Sequence, residues 1–127
     1  MAYYGIPSAG IVLTAGADND QIGVIGHGAT TLTAQSIFGG AGNDLIIGGN
    51  GAGDDSYDGG SDIDTIKYTS ATDDITVDLT QGTATSTHGG DKAGIGNDKL
   101  SKIENVIGGH FNDQLIGDSA DNTFTGE

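Results

Sequence analysis

The nine residues Gly39 to Ile47, GGAGNDLII, set the tightest limit on what this chain can become. They follow the pattern G-G-x-G-x-D-x-U-x, with U a large apolar residue. A unit that buries about one large side chain per nine residues has no core of its own, so it is stable only when copies stack. Glycine at positions one, two and four opens backbone angles closed to other residues and lets adjacent turns approach closely. The last three residues suit a short strand.

The pattern recurs in phase. A second unit starts at Gly48-Gly49-Asn50, takes a two-residue insertion at Gly51-Ala52 and resumes at Gly53, with Asp55 at position six and Tyr57 at position eight. The third, Gly59 to Lys67 (GGSDIDTIK), has Asp62 in place of the fourth glycine and Asp64 and Ile66 at positions six and eight. Looser copies are Ala15 to Gly23 with Asp20, Gly108 to Ile116 with Asp113, and Gly117 to Thr125 with Asn122 at position six. Gly94 to Ile107 reads as another pair of coils, with Asp98 before Leu100 and Glu104 before Val106. Between Gly23 and Gly39 the pattern fades, and Thr30 to Phe38 keeps only Ile37 in phase.

Ile75 to Leu79 alternates apolar and polar residues, Gln81-Gly82 suits a turn, and Thr83 to Thr87 suits a second strand. This predicts a longer strand pair or an enlarged coil around residues 68–90. No segment has a helical period, and glycine is spread too evenly for long helices. The expected fold is all-β, one module over residues 1–127. Its repeat blocks lie near 13–67 and 94–127, with an intervening strand segment at 68–93.

Sixteen Asp and two Glu stand against four Lys and no Arg, for a net charge of −14. That charge repels nucleic acid and anionic membranes, and it opposes compaction unless cations neutralise it. Short Asp side chains at turns suit a hard cation. Ca²⁺ accepts six to eight oxygens in loose geometry, whereas Mg²⁺ demands a tight octahedron and ranks second. Two half-coils make one turn, so loops on one side recur about every 18 residues. Asp44 and Asp64 are 20 apart, which is that period plus the insertion, so they are expected to flank one ion. Asp55 falls on the opposite edge. The apolar residues at position eight, Ile46, Tyr57 and Ile66, are expected between two sheets.

Other chemistries fit poorly. Asp54 to Thr65 approaches an EF-hand loop, but position twelve is Thr65 rather than Glu and no helices flank it. Gly49-Asn-Gly51-Ala-Gly53 lacks the closing glycine and the helix of a phosphate loop. His27, His88 and His110 are scattered, no GxSxG occurs, and Asp73-Asp74 reads as a solvated turn rather than a catalytic pair. The chain has no Cys and hence no disulfide framework. Met1 to Leu13 has neither the basic residues nor the apolar run of a secretory signal, and no stretch has the length of a membrane span.

The units at Gly39 to Lys67, Ala15 to Gly23 and Gly108 to Thr125, with the intervening ITVDLTQGTAT and KIENVIGG, resemble the RTX (repeats-in-toxin) proteins. The resemblance implies a right-handed parallel β-roll or β-helix, an RTX solenoid with several Ca²⁺ ions in its turns. It also implies export by a type I system and an extracellular or cell-surface location. Carried over by position, the implied carboxylate ligands are Asp44, Asp55 and Asp64, with Asp18, Asp20, Asp62, Asp98 and Asp113 beside them. The implied carbonyl ligands come from Gly39, Gly40, Ala41, Gly42, Gly48, Asn50, Gly53, Gly59 and Ser61. The expected role is structural and non-catalytic: a secreted β-roll that folds on calcium and serves a surface layer, adhesin or filament. The alternative is the accessory repeat domain of a secreted protease, lipase or polysaccharide-modifying enzyme. The expected partners are calcium and other copies of the chain, because Gly126-Glu127 begins another repeat.

Overall fold

The computed structural model describes residues 3–6, 12–24, 36–48, 53–69 and 71–126, and Asn50 lies outside this set. Among the described residues the chain is all-β, with thirteen strands and no helix. In order they are β1 (Tyr3–Ile6), β2 (Val12–Gly16), β3 (Gln21–Val24), β4 (Ser36–Ala41), β5 (Leu45–Ile47), β6 (Ser56–Ser61) and β7 (Thr65–Lys67). There follow β8 (Ile75–Asp78), β9 (Thr83–Ser86), β10 (Asn97–Ser101), β11 (Asn105–Ile107), β12 (Gln114–Ile116) and β13 (Thr123–Thr125).

Up to β7, successive strands alternate between two sheets. One sheet runs β1-β3-β5-β7-β11-β13, and the other runs β12-β8-β9-β10-β6-β4-β2. Pairing is parallel except where β9 joins β8 and β10. Equivalent repeat positions stack in register. Ile22, Ile46, Ile66, Val106 and Phe124 form one column, and Ile37, Tyr57 and Leu100 form another. Apart from Phe124 at the end of its column, these side chains are buried between the sheets. The one-large-residue-per-unit pattern thus becomes a continuous core, each fully buried Ile contributing about 1.5–3 kcal/mol.

The strand pair expected near 68–90 exists as the β8–β9 hairpin, closed at Asp78, whose Oδ1 accepts from the Thr80 and Gln81 N–H groups. It does not lie against the stack. It is inserted into one sheet between β10 and β12, which gives that sheet seven strands against six. Pairing with Thr85 and Ala84 of β9 draws Asn97 and Asp98 into β10.

The turns between β4 and β5 and between β6 and β7 depend on left-handed backbone. Gly40 and Gly60 at position two have φ of 112° and 109°, and Gly42 at position four has 110°. Position four remains left-handed without glycine, at Asp62 (80°) and at Lys102 (53°) in the turn before β11. A Cβ on Gly60 would collide with the Gly40 carbonyl oxygen, and one on Gly40 with that of Gly16. Only glycine lets these turns stack at strand spacing. Gly60→Ala is therefore expected to cost about 1–3 kcal/mol in calcium-saturated denaturant unfolding. Gly89→Ala, at a position with nothing within 4 Å, is expected to cost under about 0.5 kcal/mol. Equal effects would refute the stacking argument.

Candidate metal centre

Position-six residues line two edges of the stack. The turns entering β3, β5, β7, β11 and β13 present Asp20, Asp44, Asp64, Glu104 and Asn122 along one edge. Their carboxylates make a ladder. The Asp20 N–H donates to Asp44 Oδ1 (2.8 Å), the Asp44 N–H to Asp64 Oδ1 (2.8 Å), and the Asp64 N–H to Glu104 Oε2 (2.9 Å). Asn122 ends the series by donating Nδ2 to the Glu104 carbonyl (3.0 Å). A second ladder at position five runs the other way: Asn19 Oδ1 accepts from the Asn43 N–H (2.8 Å), and Asn43 Oδ1 from the Ile63 N–H (3.0 Å).

Asp44, Asp64 and Glu104 each spend one oxygen on a neighbouring turn. The Oδ2 atoms of Asp44 and Asp64 are buried without a hydrogen-bond partner, as is that of Asp113. Burial, the dominant cause, raises the carboxyl pKa of Asp44, raises that of Asp64 to about 6, and raises that of Asp113. Neighbouring acids reinforce the effect: Asp20 and Asp62 act on Asp44, and Asp44, Glu104 and Asp62 act on Asp64.

The position-one glycines lie against these open oxygens. A Cβ on Gly39 would fall on Asp44 Oδ2 and the Gly59 carbonyl, and one on Gly108 would fall on Asp113 Oδ2. A Cβ on Gly59 would meet the Lys102 carbonyl and Asp64 Oδ2. A Cβ on Gly42 would sit 2.5 Å from the Asp18 carbonyl. The Gly59 and Lys102 carbonyl oxygens therefore lie beside the open carboxylate oxygens of Asp44 and Asp64. Orphaned buried carboxylate oxygens, stacked acids and an all-oxygen donor set fit Ca²⁺. Gly39, Gly48 and Gly59 are buried, Gly40, Ala41, Gly42 and Gly53 are half-buried, and Asp18, Ser61 and Asp62 are exposed. Asp62 Oδ2 accepts from the Gly42 N–H at 3.2 Å, so it already braces the turn below.

The family model for the RTX calcium-binding nonapeptide repeat matches residues 33–66 and 103–127, in four copies. These two segments carry RTX calcium-binding nonapeptide repeats. RTX nonapeptide repeats bind calcium. The matched segments contain Asp44, Asp64, Glu104 and Asn122 and leave out the β8–β9 hairpin. No significant match was found among curated proteins.

The second edge of the stack is built differently. Asp55 precedes β6, and Asp98 lies inside β10 on its buried face. The Asp55 N–H donates to Asp98 Oδ1 (3.0 Å), the Tyr57 hydroxyl to Asp55 Oδ2 (2.9 Å), and the Tyr68 hydroxyl to Asp98 Oδ2 (2.9 Å). Burial pushes the Asp98 carboxyl up to about 8. Further along, Asp113 Oδ1 accepts from the Ile75 N–H (3.0 Å) and Asp74 Oδ1 from the Asn112 N–H (2.9 Å). Asp73 and Asp74 precede β8 and lie outside any strand. Their carboxylates and the His88 imidazole lie within 4.8 Å of one another, with His88 Nδ1 3.4 Å from Asp73.

Two features escaped the sequence reading. Glu104, placed in register before Val106 but not expected as a site residue, completes the first ladder although its repeat lacks the glycines. The position-five column was signalled by the recurring Asn-Asp and Asp-Asp pairs at 19–20, 43–44, 54–55, 97–98 and 112–113. The metal-free fold should bind protons more tightly than the unfolded chain at Asp44, Asp64 and Asp113. That contribution is complete below about pH 4 and is lost as pH rises, through about 6 for Asp64. In chelator, acidification from pH 7 to pH 5 is expected to favour the folded form. Calcium affinity is expected to fall over the same window, because protons must leave before the cation binds. Calorimetric titration at both pH values checks this, and equal affinities would contradict it.

Proposed function

We propose that the chain is a secreted, non-catalytic right-handed β-roll that folds on calcium and serves an extracellular or cell-surface assembly. The observation carrying this reading is the ladder of buried carboxylates at Asp44 and Asp64. Each has one oxygen spent on the preceding turn and one without a partner. Such a ladder is costly without a cation and cohesive with one.

In this reading Asp20, Asp44 and Asp64 supply carboxylates between successive turns, and Asp113 does so on the other edge. Gly39, Gly40, Ala41, Gly42, Gly59 and Ser61 offer carbonyls, with Asp18 and Asp62 at the rim. Calcium at 100 times its dissociation constant adds roughly 2.7 kcal/mol per site if it binds only the folded form. Phe124, at the end of the buried column, is exposed, and a further coil of this chain or of a copy would cover it.

Circular dichroism in chelator and in millimolar calcium tests the folding claim, and strand signal is expected only with calcium. A full strand spectrum in chelator at neutral pH and low ionic strength would sink it. Light scattering on the same samples tests assembly. Particles larger than one chain are expected with calcium, and a strict monomer would remove self-association from the proposal.

A further inference from the structure

Asp55, Tyr57, Tyr68 and Asp98 form a closed polar cluster inside the stack, none of them more than 6% exposed. Both phenol hydroxyls donate to carboxyl oxygens, and the Asp55 backbone closes the group onto Asp98. In Asp44, Asp64 and Asp113 the equivalent Oδ2 faces the position-one glycine of its own unit. Here it faces a phenol. Gly48, at position one of the Asp55 unit, lies instead against the two rings. A Cβ on it would sit 3.2 Å from Cε2 of Tyr57 and from Cε1 of Tyr68.

The Asp98 unit departs further. Its first residue is Ala93, which is buried, and its glycines at positions two and four, Gly94 and Gly96, have φ of 69° and 72°. The corresponding angles in the first-edge turns are near 110° at Gly40, Gly42 and Gly60. At position two, the backbone of this turn therefore differs from that of the first-edge turns at Gly40 and Gly60. A cation reaching Asp55 or Asp98 would have to displace a hydroxyl that has no water to turn to, and buried unsatisfied hydroxyls are costly.

We infer that the Asp55–Asp98 pair takes no calcium, and that the Tyr57 and Tyr68 hydroxyls stand where the cation would otherwise be. The cluster acts as a metal-independent clasp. It ties β6 to β10 across 43 residues of chain and links Tyr68, at the end of β7, to the buried face of β10. Calcium is then confined at this level to the Asp44–Asp64 edge. This inference rests on the calcium reading of that ladder, and the experiment separates the two.

Native mass spectrometry and calorimetry on the full chain in saturating calcium would count bound ions in wild type, Asp64→Asn, Asp98→Asn and Tyr68→Phe. Asp64→Asn is expected to lose at least one ion. Asp98→Asn and Tyr68→Phe are expected to keep the wild-type count, with Tyr68→Phe lowering the thermal midpoint. Loss of an ion in Asp98→Asn overturns the inference and leaves the ladder reading intact. An unchanged count in Asp64→Asn overturns the ladder reading itself. Should Asp98→Asn not fold, Asp55→Asn decides on the same criterion: an unchanged count supports the clasp and a lost ion refutes it.

Discussion

Acid side chains inside this molecule hydrogen-bond the backbone of the neighbouring turn, and the stack depends on that contact. Parallel strands pair only along their short straight segments, which here are mostly three to six residues long. The turns between them need another source of register. Asp44, Asp64 and Glu104 supply it by accepting the N–H of the preceding position-six residue, and Asn19 and Asn43 do the same in the opposite direction. The cost is a column of buried like charges with open oxygens. Acid relieves that cost by protonation, and calcium relieves it by coordination.

The two edges treat the same chemical problem in opposite ways. Along the first, glycine at position one clears space at the open carboxylate oxygen. Along the second, the hairpin before β10 changes the surroundings of Asp55 and Asp98. The hairpin supplies an antiparallel partner for Asn97 and Asp98, so Asp98 joins a strand and its side chain turns into the core. Phenols from Tyr57 and Tyr68 meet it there. A hydroxyl donates a proton where a cation would donate charge, and the carboxyl group is satisfied in either case.

Glu104 shows how the ladder tolerates a broken repeat. In the register, Ser56 to Thr65 spans nine positions, whereas Lys99 to Asn105 spans six. The turn before β11 has lost the residues that would be Gly-Gly-x. Lys102 keeps the left-handed φ of position four, and the longer Glu side chain still reaches the Asp64 N–H. The ladder thus crosses the hairpin insertion, although the glycine pattern does not.

Much of the fold was legible because a nine-residue period fixes which residues coincide when coils stack. The alternation of Asp44, Asp55 and Asp64 between edges and the burial of Ile46, Tyr57 and Ile66 both follow from counting. The strand pair at 75–86 was legible from its alternation, but its place inside a sheet was not, because strand order depends on long-range pairing. By itself the sequence determined the repeat, the strand-rich class and the acids that line the turns, since these depend on spacing and on what glycine permits. Only the tertiary structure decided which of those acids keep an open oxygen. That depends on what packs against them: a glycine at Asp44 and Asp64, a buried phenol at Asp55 and Asp98.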